Sequence, residues 1–258
     1  MCRWATYSGS PIYLEEIVLK PAHSLIDQSL NASKGATTVN GDGFGLAWYG
    51  ERKEPGFYRD ILPAWSDGNL KSLVHQVRSS MFLAHVRAST GTETSRTNCH
   101  PFVFGNWSFM HKGQIGRYGV VRRALDTMLP DALYNTRNDT TDSEAMFLPA
   151  IEKGLDADPV AAIASMLGAV RNLCIESLIE PDIRFTAVLS DGSRVIAVRH
   201  ATDGSPPTLY YRRSYENQGW IVASEPTDVG EPGWIAVPAN SVVEIVNDAL
   251  TVSSFAVN

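Results

Sequence analysis

Hydrophobic and polar positions alternate at strand spacing near the start of the chain, recur at helical spacing in the middle, and return to strand spacing in the last third. Residues 3–8 predict a short strand. Residues 21–30 predict a helix with Leu25, Ile26 and Leu30 on one face, and residues 46–49 a strand. Leu70, Leu73, Val74 and Val77 fall one helical turn apart, which predicts a helix over 69–79. The apolar stretch 81–86 predicts a buried strand that delivers Arg87 at its end. Residues 102–104 and 107–110 predict two strands joined at Gly105-Asn106. Helices are expected at about 119–129, 142–154 and 159–178; in the last, Val160, Ile163, Met166, Leu167, Val170 and Cys174 form one stripe, so Cys174 reads as core. A hairpin around Asp191-Gly192 and further strands over 209–212, 219–223, 234–237, 242–246 and 250–257 complete the pattern.

Strands, then helices, then strands do not make the alternation of a doubly wound sheet. Two mainly antiparallel sheets packed together and covered by helices, an α+β arrangement, fit better. No Pro/Gly/Ser linker and no repeat divides the sequence, so one domain over 1–258 is expected.

Composition narrows the function. A hydrophobic share of 44% supports a real core, and a net charge of −6 argues against nucleic-acid binding by bulk electrostatics. The odd set Cys2, Cys99 and Cys174 has no framework spacing and reads as free thiols in a reducing, cytoplasmic setting. No apolar run approaches the roughly 18 residues of a membrane span, and no signal-peptide pattern opens the chain; no membrane association is expected.

The candidate chemistry begins at Met1-Cys2-Arg3. Removal of Met1 would put a thiol and a free α-amine on one residue. The amine, with an ordinary pKa of about 7.7–8.0, can take and return the thiol's proton. The plain alternative is a cysteine at a permissive position. Asn40-Gly41-Asp42-Gly43-Phe44-Gly45 looks like a phosphate loop, but a strand pattern follows it where a helix should. Close backbone packing is the better reading.

Arg87, in His85-Val86-Arg87-Ala88-Ser89-Thr90, ends a buried strand. Such a charge needs an anion, either a ligand carboxylate gripped by its planar fork or an acid of the chain. In His111-Lys112-Gly113-Gln114-Ile115, Gly113 can offer an unencumbered N–H to an oxyanion. Asp142, in Thr141-Asp142-Ser143-Glu144, reads as a helix cap or as an ammonium binder. A carboxylate binder and an ammonium binder together would clamp an α-amino acid. A thiol and an oxyanion donor would then act on a carbonyl farther along it, as in glutamine or a γ-glutamyl compound. A metal site from His85, Cys99, His100 and His111 is the weakest reading, because no paired ligand spacing occurs and Cys99 and His100 would point to opposite faces of a strand.

These motifs, together with Asn98-Cys99-His100-Pro101-Phe102, occur in an order that resembles the class II glutamine amidotransferases over roughly residues 2–155. The segments Pro21-Ala22-His23-Ser24-Leu25-Ile26 and Val222-Ala223-Ser224-Glu225-Pro226 are similar to stand-alone members, including the amidotransferase-like subunit of a glutathione-degrading complex and bacterial γ-glutamyl amide hydrolases. The resemblance implies the four-layer αββα sandwich of N-terminal-nucleophile hydrolases and no cofactor. It implies Cys2 as nucleophile, Arg87 for the α-carboxylate, Asp142 for the α-ammonium, Thr90 and His100 on the substrate side, and Gly113 N–H in the oxyanion hole. The expected ligand is glutamine or a γ-glutamyl small molecule. With no ammonia-using region in view, transfer would need a partner synthase or peptidase subunit. One departure stands out. The family carries Asn before this glycine, and here it is Lys112, a longer and charged donor. Weakened hydrolysis, an altered substrate or a noncatalytic regulatory subunit is expected from it.

Overall fold

The computed structural model describes residues 2–34, 37–89, 91–228 and 232–257. In chain order the elements are β1 (Arg3–Tyr13), α1 (Glu15–Val18), α2 (Leu25–Asn31), β2 (Phe44–Tyr49), β3 (Gly56–Asp60), a 3₁₀ turn (Ala64–Ser66), α3 (Gly68–Gln76), β4 (Arg78–Val86), β5 (Phe102–Phe104) and β6 (Trp107–Ile115). There follow α4 (Tyr118–Thr127), α5 (Asp131–Tyr134), α6 (Asp142–Glu152), α7 (Pro159–Glu176), β7 (Ile183–Ser190), β8 (Arg194–Ala201), β9 (Tyr210–Ser214), β10 (Gly219–Ala223), β11 (Ile235–Ala236), β12 (Ser241–Val246) and β13 (Ala249–Ser254).

The strands form two antiparallel sheets, ordered β11-β9-β10-β1-β4-β2-β3 and β13-β12-β8-β7-β6-β5. Period-two alternation sends one set of side chains between the sheets, including Trp4, Ala47, Leu83, Met110, Val188 and Val222. The opposite faces bury Ala5, Tyr7 and Phe82 under α1–α3 and the first sheet, and Phe109, Phe185 and Ile196 under α6 and α7 on the second. The result is the four-layer αββα sandwich that the resemblance implied.

Several element boundaries differ from the sequence pattern. β1 runs to Tyr13, with a register shift between Ser8 and Ile12. A Cβ at Gly9 would lie 2.4 Å from the Cα of Gly219, so the strand crosses its neighbour too closely for a side chain. The helix expected over 21–30 starts only at Leu25, because Ser24 caps it by accepting from the N–H of Asp27. β3 escapes the pattern because it is a half-exposed edge strand without alternation. Cys99 and His100 lie in a turn before β5 and not on a strand. α7 is long and apolar enough to cross a membrane by length and composition, contrary to the sequence reading; here its Ile163, Met166, Leu167, Val170 and Cys174 are buried in the core of the second sheet.

Candidate active site

Strand pairing places Cys2 at the mouth of the sandwich. Arg3 pairs with Val86, so Cys2 lies beside the chain leaving β4, and its Sγ donates to the carbonyl of Ala88 at 3.6 Å. Cys2 is partly exposed, whereas Cys99 and Cys174 are buried, and all three are free thiols. Two residues into the strand, the indole N–H of Trp4 donates across the inter-sheet layer to the carbonyl of Thr186 at 3.3 Å.

The glycine turn before β2 builds the wall around Arg87. The Arg87 N–H donates to the Gly43 carbonyl at 2.8 Å, the Asp42 N–H to the Arg87 carbonyl at 3.0 Å, and the Ser89 N–H to the Asp42 carboxylate at 2.7 Å. Gly43 sits at φ +113°, and a Cβ there would fall 2.6 Å from Cys99 Sγ; at Gly45 it would fall 2.0 Å from the His100 carbonyl. These glycines serve close packing, and a strand, not a helix, follows them.

Arg87 is 3% exposed. Its Nη2 donates to Thr92 Oγ1 at 2.8 Å, Glu93 O at 3.2 Å and Ser89 Oγ at 3.3 Å, and its Nη1 to Asp42 O at 3.2 Å. Every one of these acceptors is neutral. Among the described residues no carboxylate lies within ion-pair distance of this guanidinium, so none of them forms the structural pair that was the alternative. A buried cation held only by neutral oxygens is poised for an anion. Nearby, burial first and then the Arg87 charge push the His85 imidazole down to about 3.

Asp142 is the first residue of α6 and not its cap. Thr141 caps the helix by accepting from the Glu144 N–H. The Asp142 carboxylate instead accepts from the N–H of Ile115, at the end of β6, at 2.7 Å. It also faces a cavity of about 590 Å³ shared with Gly91, Thr92, Glu93, Gln114 and Thr140. The 91–93 loop therefore serves both candidates, bonding Arg87 from one side and walling the Asp142 cavity from the other. Asn98 fixes the separation. Its side chain donates to Glu93 O at 2.9 Å and accepts from Thr140 N at 3.0 Å, joining the two loops. The sequence offered Asn98 only as part of a motif; its role needs both partners in view.

Lys112 lies in β6, 1% exposed, opposite Thr186. Its Nζ donates to Thr208 Oγ1 at 3.2 Å, and that hydroxyl donates to Ser224 O at 2.7 Å. Burial pushes the amine down to about 7; the charge of Arg3 adds to this, and those of Glu225 and Cys2 oppose it. Next to it, a Cβ on Gly113 would fall 1.8 Å from the Arg184 carbonyl and 2.5 Å from His111 Nε2, so only glycine fits.

Comparison with known proteins decides the family. A profile for class II glutamine amidotransferases matches residues 18–216. The chain is 34% identical to DUG3, described as a probable glutamine amidotransferase of Saccharomyces cerevisiae, over 95% of this chain and 82% of that protein. The chain belongs to the class II glutamine amidotransferases. It is 28% identical to the γ-glutamyl-hercynylcysteine sulfoxide hydrolase of Mycolicibacterium smegmatis, over 95% of this chain and 96% of the relative. A solved glutamine aminotransferase class-II domain protein from Silicibacter pomeroyi superposes with a TM-score of 0.80 at 35% identity, each chain covered in full.

Within this class II amidotransferase, the residues expected at the site do not all converge. Cys2 and Arg87 are neighbours, and Arg87 and Asp142 share the 91–93 loop. Thr90 lies outside the described residues. His100 is buried in an aromatic stack, 4.3 Å from the His85 ring and 4.5 Å from that of Phe102, away from the cavity lining. Burial holds its imidazole well below the usual range. His111 bridges Ser143 Oγ at 2.9 Å and the Arg184 carbonyl at 3.0 Å, which braces the start of α6 against β6 and β7. Among the described residues no group of three or more His, Cys, Asp or Glu is arranged to hold a metal ion.

Proposed function

We propose that this amidotransferase hydrolyses the γ-amide of glutamine or of a γ-glutamyl compound through a γ-glutamyl thioester on Cys2. The observation that carries the reading is the buried Arg87 guanidinium, without a carboxylate partner among the described residues, beside the Cys2 thiol and across one loop from Asp142. Arg87 takes the α-carboxylate and Asp142 the α-ammonium, with Thr90 as a supporting residue on the substrate side. The Cys2 α-amine, freed by removal of Met1, accepts the thiol proton. Sulfur attacks the γ-carbonyl carbon, and the proton passes to the leaving ammonia or amine as the C–N bond breaks. Water then cleaves the thioester and releases glutamate. Gly113 N–H faces the oxyanion, and Lys112 serves as a second donor only when its amine leaves Thr208. The relatives support the substrate class, one being a probable glutamine amidotransferase and the other a γ-glutamyl-hercynylcysteine sulfoxide hydrolase. Transfer or peptide breakdown would engage a partner synthase or peptidase subunit.

A second reading has its own support. Lys112 is committed to Thr208, which leaves the oxyanion hole one donor short and suits a regulatory subunit that binds the amino acid without cleaving it. Incubation of the Met1-processed protein with glutamine, glutathione and γ-glutamyl dipeptides separates the two by glutamate release. Glutamate is expected from at least one substrate, and Cys2→Ala should abolish it with the circular dichroism spectrum unchanged. Calorimetric binding of glutamine with no release from any substrate would favour the regulatory reading. Release undiminished in Cys2→Ala would remove Cys2 as the nucleophile.

A further inference from the structure

The segments Pro21-Ala22-His23-Ser24-Leu25-Ile26 and Val222-Ala223-Ser224-Glu225-Pro226 have no task in this scheme, yet they meet directly behind the nucleophile. Glu225 is 1% exposed and gathers the chain around itself. Its Oε2 accepts from Arg3 Nε at 2.6 Å and from the Lys34 N–H at 3.0 Å. Its Oε1 accepts from the Ser33 N–H at 2.7 Å and the Ser33 hydroxyl at 2.6 Å, and lies 2.7 Å from His23 Nε2. Arg3, fully buried, donates from Nη1 to the carbonyl of Cys2 at 3.0 Å. Burial works against the Glu225 charge, but the hydrogen bonds from His23, Ser33 and Arg3 outweigh it and hold the carboxyl at about 2.

We propose that Glu225 is a positioning residue for Cys2, acting through Arg3. The need for one follows from the register. β1 begins its pairing at Arg3, so the ladder does not hold Cys2, and a chain terminus frays unless something ties it down. Among the described residues two contacts tie it. Arg3 grips the Cys2 carbonyl and so fixes the plane of the 2–3 peptide. The thiol contact to Ala88 fixes the rotation that remains. Together they set where the α-amine and the sulfur point. Arg3 can hold that carbonyl only while its own guanidinium is held, and Glu225 does this with a full opposite charge. Ser33 and Lys34 close the same carboxylate from the other side, so it has little freedom to follow a moving arginine. An error of about 1 Å in such an alignment costs on the order of 10²-fold in rate.

The inference rests on the reading of Cys2 as nucleophile, and the test separates the two. Glu225→Gln keeps the shape and one acceptor oxygen but removes the charge. Arg3→Lys keeps a charge for Glu225 but loses the fork that reaches both partners. Each variant is assayed for kcat and KM per active site, titrated with an irreversible thiol-directed substrate analogue. In parallel, Cys2 alkylation by iodoacetamide is followed by peptide mass from about pH 6 to 9, across the ordinary range of an α-amine. We expect kcat to fall about 10- to 100-fold with KM within about threefold, the alkylation profile to shift, and the double variant to be no worse than the poorer single one. A purely structural role would lower the titrated fraction and leave kcat per site unchanged, which would overturn the proposal. If the parent releases no glutamate, the enzyme reading falls by itself; superimposable alkylation profiles in parent and Glu225→Gln would then overturn the positioning role independently.

Discussion

In the proposed reaction, Lys112 is the residue on which the activity turns. An asparagine at its position would hold an amide one carbon beyond Cβ, whereas the lysine amine ends a four-carbon stem and bonds Thr208. The amine is buried and pushed down to about 7 by that burial, so near neutral pH it alternates between a charged donor and a neutral one. Loss of one oxyanion donor costs about 10²–10³ in rate, and that range bounds what a restored donor can return. Lys112→Asn should therefore release glutamate faster than the parent in a purified, Met1-processed comparison; equal or slower release would refute the donor-loss account. The chemistry of Lys112 was legible from its place before Gly113. The alternative partner was not, because Thr208 lies on a distant connection. Gly113 shows the converse: the sequence suggested an oxyanion donor, and the fold adds that the Arg184 carbonyl leaves no room for any side chain there.

At the scale of elements, the proposed head-group site is the gap between the loop after β4 and the start of α6, and Asn98 spans it. Asn98→Ala would free both loops and leave the Thr140 N–H without its side-chain acceptor. We expect KM for glutamine or the γ-glutamyl substrate to rise by about tenfold or more with a smaller change in kcat, since the lost contacts shape binding and not the nucleophile. A KM within twofold of the parent's, from steady-state kinetics, would show that the loops hold their spacing without it. The same α6 start carries a proton-dependent contact. The Glu144 carboxylate accepts from the N–H groups of Asn138 and Asp139, and the Asp139 carboxyl is bonded by the Thr141 hydroxyl. Burial, and then the neighbouring Glu144, push Asp139 up to about 8. The folded chain thus keeps a proton that an unfolded Asp gives up near pH 4. Stability should fall as pH rises from about 4 to 8 and level off beyond. Asp139→Asn carries no such titration, so its Tm relative to the parent should improve between pH 5 and 8; a difference that does not change with pH would exclude the shared-proton account. The strand end carrying Arg87 and the helix opening at Asp142 were both readable from sequence. That Thr141 is the cap, leaving Asp142 to hold the end of β6, depends on a contact with Ile115 that local pattern does not encode.

Across the whole molecule, what the sequence conveyed was the layering, because period-two and helical spacing report which faces are apolar whatever the partners are. What it withheld were the ties made by residues far apart in the chain: Arg3 with Glu225 at the end of the first sheet, and, between the sheets, Trp4 with Thr186 and Tyr49 with Ser190. The last two pin one sheet to the other at opposite ends. Trp4 stands two residues from Cys2. Tyr49 ends β2, five residues on from Phe44, which pairs with Val86 beside Arg87, so it lies about 17 Å from the site at strand rise. The buried Tyr49 hydroxyl donates to Ser190 O at 2.6 Å, with Ser108 Oγ at 2.8 Å and Asn106 O at 2.9 Å also within reach. Tyr49→Phe leaves these groups without that partner at the buried end of the inter-sheet layer, a loss of about 1–3 kcal/mol. Trp4→Phe removes one longer hydrogen bond but also changes the packing under the nucleophile. If the sandwich is a rigid frame that transmits position only locally, Tyr49→Phe should lower the denaturation midpoint while kcat per folded molecule stays at the parent value, and Trp4→Phe should lower kcat as well. Denaturant melts alongside active-site-titrated kinetics would read both. A fall in kcat in Tyr49→Phe as large as in Trp4→Phe would mean that the two sheets move against each other as bodies and that the site senses the far end of the sandwich.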